Sequence, residues 1–105
     1  MAEIAPLVKK KVSLFLRRLK ENGITPEKAY IFGSYSKGFK NRLSDIDVAI
    51  VSSDLSGDRF NERIRLMKIA YDIDSRIEPV PFTSDTFVEE DPLVWEILKT
   101  GVLVH

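Results

Sequence analysis

Residues 31–51 read IFGSYSKGFKNRLSDIDVAIV, and the reading of this stretch decides the fold. Two apolar runs bracket a segment rich in Gly, Ser, Lys and Arg, and the second run opens with Asp45 and Asp47. The first run, AYIFG, has the length of a short strand stopped by Gly33, and SDIDVAIVSS has the pattern of a second strand. Side chains alternate along a strand, so Asp45 and Asp47 share one face while Ile46, Val48 and Ile50 take the other, the core face. Two carboxylates side by side repel each other and favour a raised pKa unless a cation neutralises them. Mg²⁺ prefers oxygen ligands and commonly uses one or two carboxylates together with substrate phosphates. The pair therefore points to a Mg²⁺ site that takes a phosphorylated ligand.

By itself an Asp-x-Asp at a strand start carries little, because exposed aspartates often simply end strands. Three neighbours give it weight. Gly33-Ser34 follows the first strand directly, where a glycine lets backbone N–H groups approach an anion and the serine adds a hydroxyl donor. Gly38 and the cations Lys37, Lys40 and Arg42 lie between Gly33 and Asp45, and a connection between two strands brings phosphate donors and metal ligands together. Glu78 sits between Ile77 and Pro79 in a third strand, SRIEPVPFT, where an acid needs a partner. A shared metal would be one. Three carboxylates on adjacent strands suit a two-metal clamp on the attacking and leaving oxygens of a phosphoryl transfer. Asp72 and Asp74 compete with Glu78 for the third place, although their position at a helix end suits solvated acids.

Outward from this centre the elements follow in order. Residues 4–19 carry Ile4, Val8, Val12, Phe15 and Leu19 at helical spacing, and Gly23 stops the helix. SGDRFNERIRLMKIAYDID predicts a second helix capped by Asp58, with Phe60, Ile64, Met67 and Tyr71 as its apolar stripe. DPLVWEILKTG predicts a short helix opened by Pro92 and closed by Gly101, and VLVH is a last strand or a tail. The order is helix, strand, strand, helix, strand, helix. It gives an α/β (α+β) domain spanning 1–105, a small mixed β-sheet with helices packed on one face. Pro79 and Pro81 remove backbone donors on one side of the third strand only, so that strand is expected at an edge, where the missing donors also discourage chance pairing.

The composition sets outer bounds. At 105 residues, a single domain with a thin core is expected. The chain has no cysteine, which excludes disulfides and thiolate metal sites and fits a cytoplasmic protein. No apolar run is long enough to span a bilayer, and MAEIAPLVKKK lacks the order of a signal peptide. The net charge is zero, so nucleic acid is not favoured as a direct partner. The charge is unevenly spread, basic in residues 1–20 and acidic in 85–105, which suits two solvated helix faces. Loop cations Lys37 and Arg42 are candidates for phosphate contact, and Tyr35 and Phe39 for stacking on a base. His105, the single histidine, lies at the terminus and is not expected to act.

The ordered set Gly-Ser, Asp-x-Asp, helix, acid on a strand resembles the nucleotidyltransferase superfamily that includes DNA polymerase beta. FGSYSKGFKNRLSDIDVAIV is similar to its smallest branch, the minimal nucleotidyltransferases, as are IEPVPFT and EEDPLVWEILKTGVLVH. The resemblance implies that Gly33 and Ser34 hold the nucleotide triphosphate, that Asp45 and Asp47 ligate Mg²⁺, and that Glu78 takes the place of the third carboxylate, where many relatives have Asp. It implies two Mg²⁺ ions, ATP as substrate, and attack of an acceptor hydroxyl on the α-phosphorus. Larger relatives bind base and acceptor with a second domain, for which this chain has no room. Minimal nucleotidyltransferases pair with a small helical HEPN-domain protein as antitoxin to toxin, in some cases by adding AMP to it. The resemblance thus implies a hetero-oligomer in which this chain either modifies its partner or neutralises it by contact.

Overall fold

The computed structural model describes residues 4–33 and 45–105. They form α1 (Pro6–Glu21), β1 (Lys28–Phe32), β2 (Ile46–Val51), α2 (Arg59–Tyr71), β3 (Ile77–Phe82), α3 (Pro92–Thr100) and β4 (Val102–Leu103). Among the described residues the strands make a four-stranded sheet in the order β3-β2-β1-β4. β1 runs antiparallel to both β2 and β4, while β2 and β3 are parallel and joined across α2. The sheet is therefore mixed and the fold α+β, with VLVH supplying the outer strand beside β1 rather than a loose tail.

α1 forms as its periodicity requires. Ile4, Val8, Val12, Phe15 and Leu19 are all buried, Phe15 and Leu19 completely. The helix ends at Asn22-Gly23, where Gly23 takes the left-handed conformation at φ +81° and the Ile24 N–H returns to the Leu19 carbonyl at 2.9 Å. Arg18 and Lys20 in the last turn face the negative end of the helix dipole.

α2 corrects the sequence reading. Asp58 is its cap, accepting from the Asn61 N–H at 3.2 Å. The expected stripe, however, faces outward, with Phe60 74%, Ile64 39%, Met67 39% and Tyr71 72% exposed. The helix buries Leu66 and Ala70, with Ile69 and Ile73 packed beside them. Two apolar stripes run along this helix, and contacts to β3 select between them. Arg59 lies over the Phe82 ring at 4.9 Å and Arg63 Nη2 reaches Glu78 Oε2 at 3.1 Å. A roll that seats both arginines on the β3 edge turns Phe60, Ile64, Met67 and Tyr71 away from the sheet.

Alternation sorts the sheet into two faces. Ala29, Ile31, Ile46, Val48, Ile50 and Ile77 meet α1 and α2. Tyr30, Phe32, Ala49, Val51, Val80 and Phe82 point the other way, where α3 lays Val94 and Ile97 on them. The expected cover of one face by helices holds for α1 and α2, and α3 adds cover on the opposite face. Phe87 joins that second cluster, edge-on to Phe82 at 5.2 Å and stacked on Tyr30 at 5.6 Å. α3 begins as expected, with Asp91 accepting from the Leu93 N–H at 2.9 Å and Pro92 at the first turn.

β3 is the edge strand that its prolines predict. The Ile46 N–H donates to the Arg76 carbonyl at 2.7 Å and the Ser52 N–H to the Phe82 carbonyl at 3.0 Å. Even-numbered residues of β3 thus face β2, and the odd-numbered Pro79 and Pro81 turn their missing donors outward.

Candidate active site

The strand registers place the acids. Phe32 on β1 is opposite Asp47 on β2, and Asp47 is the register partner of Glu78 on β3. Asp47 and Glu78 therefore lie side by side on one face, about one strand spacing (~4.8 Å) apart in the backbone. It is the face that α3 packs, beyond the apolar cluster. Asp45 precedes β2 on the same side and is exposed, whereas Asp47 and Glu78 are half-buried. Gly33 follows β1 directly, in the left-handed conformation at φ +74°.

Gly33 is a steric requirement of this corner. A Cβ placed on it would run into Asp47 Oδ2, and its φ is one that other residues rarely adopt. The space occupied by the Asp47 carboxylate therefore exists because residue 33 has no side chain. Of the sequence-predicted site, Gly33, Asp45, Asp47 and Glu78 come to one end of the sheet. Ser34, Tyr35, Lys37, Gly38, Phe39, Lys40 and Arg42 lie outside the described residues.

The electrostatics follow from this grouping. The Asp47 carboxyl is pushed up to about 6, first by its withdrawal from water and then by the like charges of Asp45 and Glu78, while Arg63 pulls it down. Glu78 has a partner within the protein, Arg63, with the side chains 29% and 52% exposed respectively. Sequence reasoning missed this arginine. Its signal was the pair Arg59 and Arg63, four residues apart on a helix that crosses directly from β2 to β3. With Glu78 turned to Arg63, no group of three acids or histidines stands gathered as a metal cage among the described residues.

The residues nevertheless fit a hard cation. The donors are all carboxylate oxygens, and the central one, packed against Gly33, is crowded by like charge. The competing acids are employed elsewhere. Asp74 accepts from Arg76 and from Lys11 Nζ at 2.8 Å, its side chain only 8% exposed, and the Arg76 hydrogen bonds hold its carboxyl well below the usual carboxylate range. Asp72 is the exposed C-cap of α2. His105 lends its carbonyl to the Ala29 N–H at 3.2 Å, a backbone contact only.

The family model for polymerase beta nucleotidyltransferases matches residues 10–105. The chain belongs to that family. No curated protein matches this nucleotidyltransferase. Among solved structures it is similar to a toxin–antitoxin complex crystallised with AMP-PNP, at TM-score 0.65 and 26% identity over 92% of this chain and 72% of the other. The same figures relate it to the toxin–antitoxin MntA-HpeT carrying two Asp→Glu substitutions two positions apart. A Sulfolobus solfataricus protein inferred to be a nucleotidyltransferase shares the fold, at TM-score 0.62 and 21% identity over 91% of this chain and 78% of that one. Among the described residues no helix is long and apolar enough to cross a membrane.

Proposed function

We propose that this nucleotidyltransferase, a single minimal domain, transfers AMP from ATP to a hydroxyl of a partner protein, and that it is the antitoxin of a HEPN/MNT pair working in the cytoplasm. The observation that carries this reading is the convergence of Asp45, Asp47 and Glu78 beside the Gly33 turn. A chain needing only surface complementarity has no reason to hold like charges together around a carboxyl that burial, and then their repulsion, pushes up to about 6. The AMP-PNP complex of one structural neighbour and the paired Asp→Glu substitution in another support the same assignment.

In this reading Asp45, Asp47 and Glu78 hold Mg²⁺, as two ions. Bound there, the metal supplies charge neutralisation of the triphosphate and activation of the attacking oxygen. The protein's own part is positional. Gly33, with Ser34 after it, admits the triphosphate close to the backbone. The paired strands hold Asp47 and Glu78 in fixed register, so the ligands need little reorganisation. The acceptor hydroxyl oxygen attacks the α-phosphorus and loses its proton to solvent, the bond from the α-phosphorus to the bridging oxygen breaks, and pyrophosphate leaves.

A second reading is favoured by the exposed apolar side of α2, a feature suited to protein contact. Here the chain silences its helical partner by binding alone. ATP labelled at the α-phosphate, Mg²⁺ and the product of the adjacent gene separate the two. Label on the partner, absent with Asp47→Asn, supports transfer. An unlabelled partner that both forms silence overturns transfer and leaves contact.

A further inference from the structure

We infer that Arg63 is the acidic site's resident counter-cation: it holds Glu78 while no metal is bound, and a divalent ion must take Glu78 from it. The inference rests on reading Asp45, Asp47 and Glu78 as metal ligands.

The placement of Arg63 is built into the fold. Arg59 and Arg63 are four apart on α2, and their partners Phe82 and Glu78 are four apart on β3. Helix and strand run in opposite directions here, so the two contacts form successive rungs between the same two elements. The Phe82 end of this ladder is anchored in the apolar cluster under α3. Arg63 is thereby delivered to the strand edge beside Glu78 by the packing of α2, with its side chain still 52% exposed and able to swing out.

The chemistry makes Arg63 and a metal compete. The Arg63 contact is with Glu78 Oε2, and Glu78 is the register partner of Asp47. One carboxylate cannot give its full charge both to a guanidinium and to a divalent ion. A guanidinium a few ångströms from such an ion weakens its binding about tenfold even in near-aqueous screening. Without Arg63, Glu78 would stand unneutralised beside Asp47 and Asp45. Arg63 therefore stabilises the empty site and opposes its loading.

The test is calorimetric titration of Mn²⁺ into the metal-free full chain at pH 7.5, without nucleotide, together with thermal melts. Arg63→Gln is expected to bind Mn²⁺ about tenfold more tightly than the parent and to melt lower without metal. Arg63→Lys, which keeps the charge, should stay near the parent, and Arg59→Gln, which removes a cation facing Phe82, within about twofold. Equal or weaker Mn²⁺ binding by Arg63→Gln, with the parent binding intact and Asp47→Asn binding lost, overturns the role of Arg63 and leaves the metal site standing. No Mn²⁺ binding by the parent at millimolar concentration overturns both.

Discussion

Asp74 and Asp47 are both withdrawn from water at the ends of strands and helices, and the fold treats them in opposite ways. Asp74 is surrounded by donors: two guanidinium nitrogens and the backbone N–H of Arg76, and the ammonium of Lys11. Its carboxylate fastens α1 to the turn between α2 and β3. Asp47 is surrounded by acids, and its nearest help is an arginine committed to Glu78. A carboxylate satisfied within the chain holds the structure together. One left among like charges is the candidate for a partner outside the chain, as the proposed metal site requires. The contrast separates an acid satisfied within the chain from one that is not, without reference to any relative.

The largest expected break in the comparison is catalytic. Asp47→Asn should lower AMP transfer by at least 10²–10³-fold, the order found when one preorganised electrostatic group is removed. Asp74→Asn should leave transfer per folded molecule within about twofold, since Asp74 contacts no candidate ligand. A radiolabel assay on both variants checks this.

The next effect is on stability, and it reverses the ranking. Asp74→Asn should destabilise by about 2–3 kcal/mol, because two cations and a backbone N–H lose a charged acceptor. Asp47→Asn should instead stabilise the metal-free protein by about 1 kcal/mol near pH 7.5, a figure reduced for the partial exposure of the site. Urea melts of the two variants beside the parent give both signs.

The pH dependence sharpens the same contrast. The folded state holds the Asp74 proton more weakly than the unfolded chain does, so its stabilisation is fully present above the ordinary aspartate range and fades as pH falls through and below it. The folded state holds the Asp47 proton more strongly. Its contribution therefore declines as pH rises from about 4 to about 6, the window between the ordinary and the raised value. Stability curves between pH 3 and 8 should flatten below 5 in Asp74→Asn. Between about pH 4 and 6 they should rise more steeply in Asp47→Asn than in the parent, since the variant lacks the opposing slope.

The smallest effects concern α2. Leu66→Ala should cost about 3 kcal/mol and Ile64→Ala no more than about 0.5 kcal/mol. Equal losses would mean that the outward stripe is packed after all.

Legibility in the sequence follows the same physics. α1 has a single apolar stripe, so periodicity named both the helix and its buried side. α2 carries two stripes, and its roll depends on Arg59 and Arg63 meeting Phe82 and Glu78 across a gap of 15 residues or more in the chain. No local pattern contains that contact. The second helical layer was hidden for a related reason. Ile46, Val48 and Ile50 read as the core face of β2, yet Ala49 and Val51 on the other face are also buried, in the cluster under α3. That Asp45 and Asp47 share one face was legible because strand alternation is a short-range rule, whereas the register that sets Glu78 beside Asp47 spans the whole of α2. Prolines told the edge, and Glu78 announced that it needed a partner. That the partner present is Arg63 required the fold.

The outward side of β3 carries a consequence for how other molecules recognise this one. Its odd-numbered Pro79 and Pro81 carry no amide hydrogens and are both buried, and β4 on the far side has only two residues. An extended peptide laid along β3 would find no donors at these two positions and lose those rungs of its ladder. Recognition at this edge must therefore be read through side chains, among them the exposed Arg59 and Arg63 of α2. Inhibitors built as strand mimics should slide off it, whereas those that present anions to a guanidinium row have something to hold.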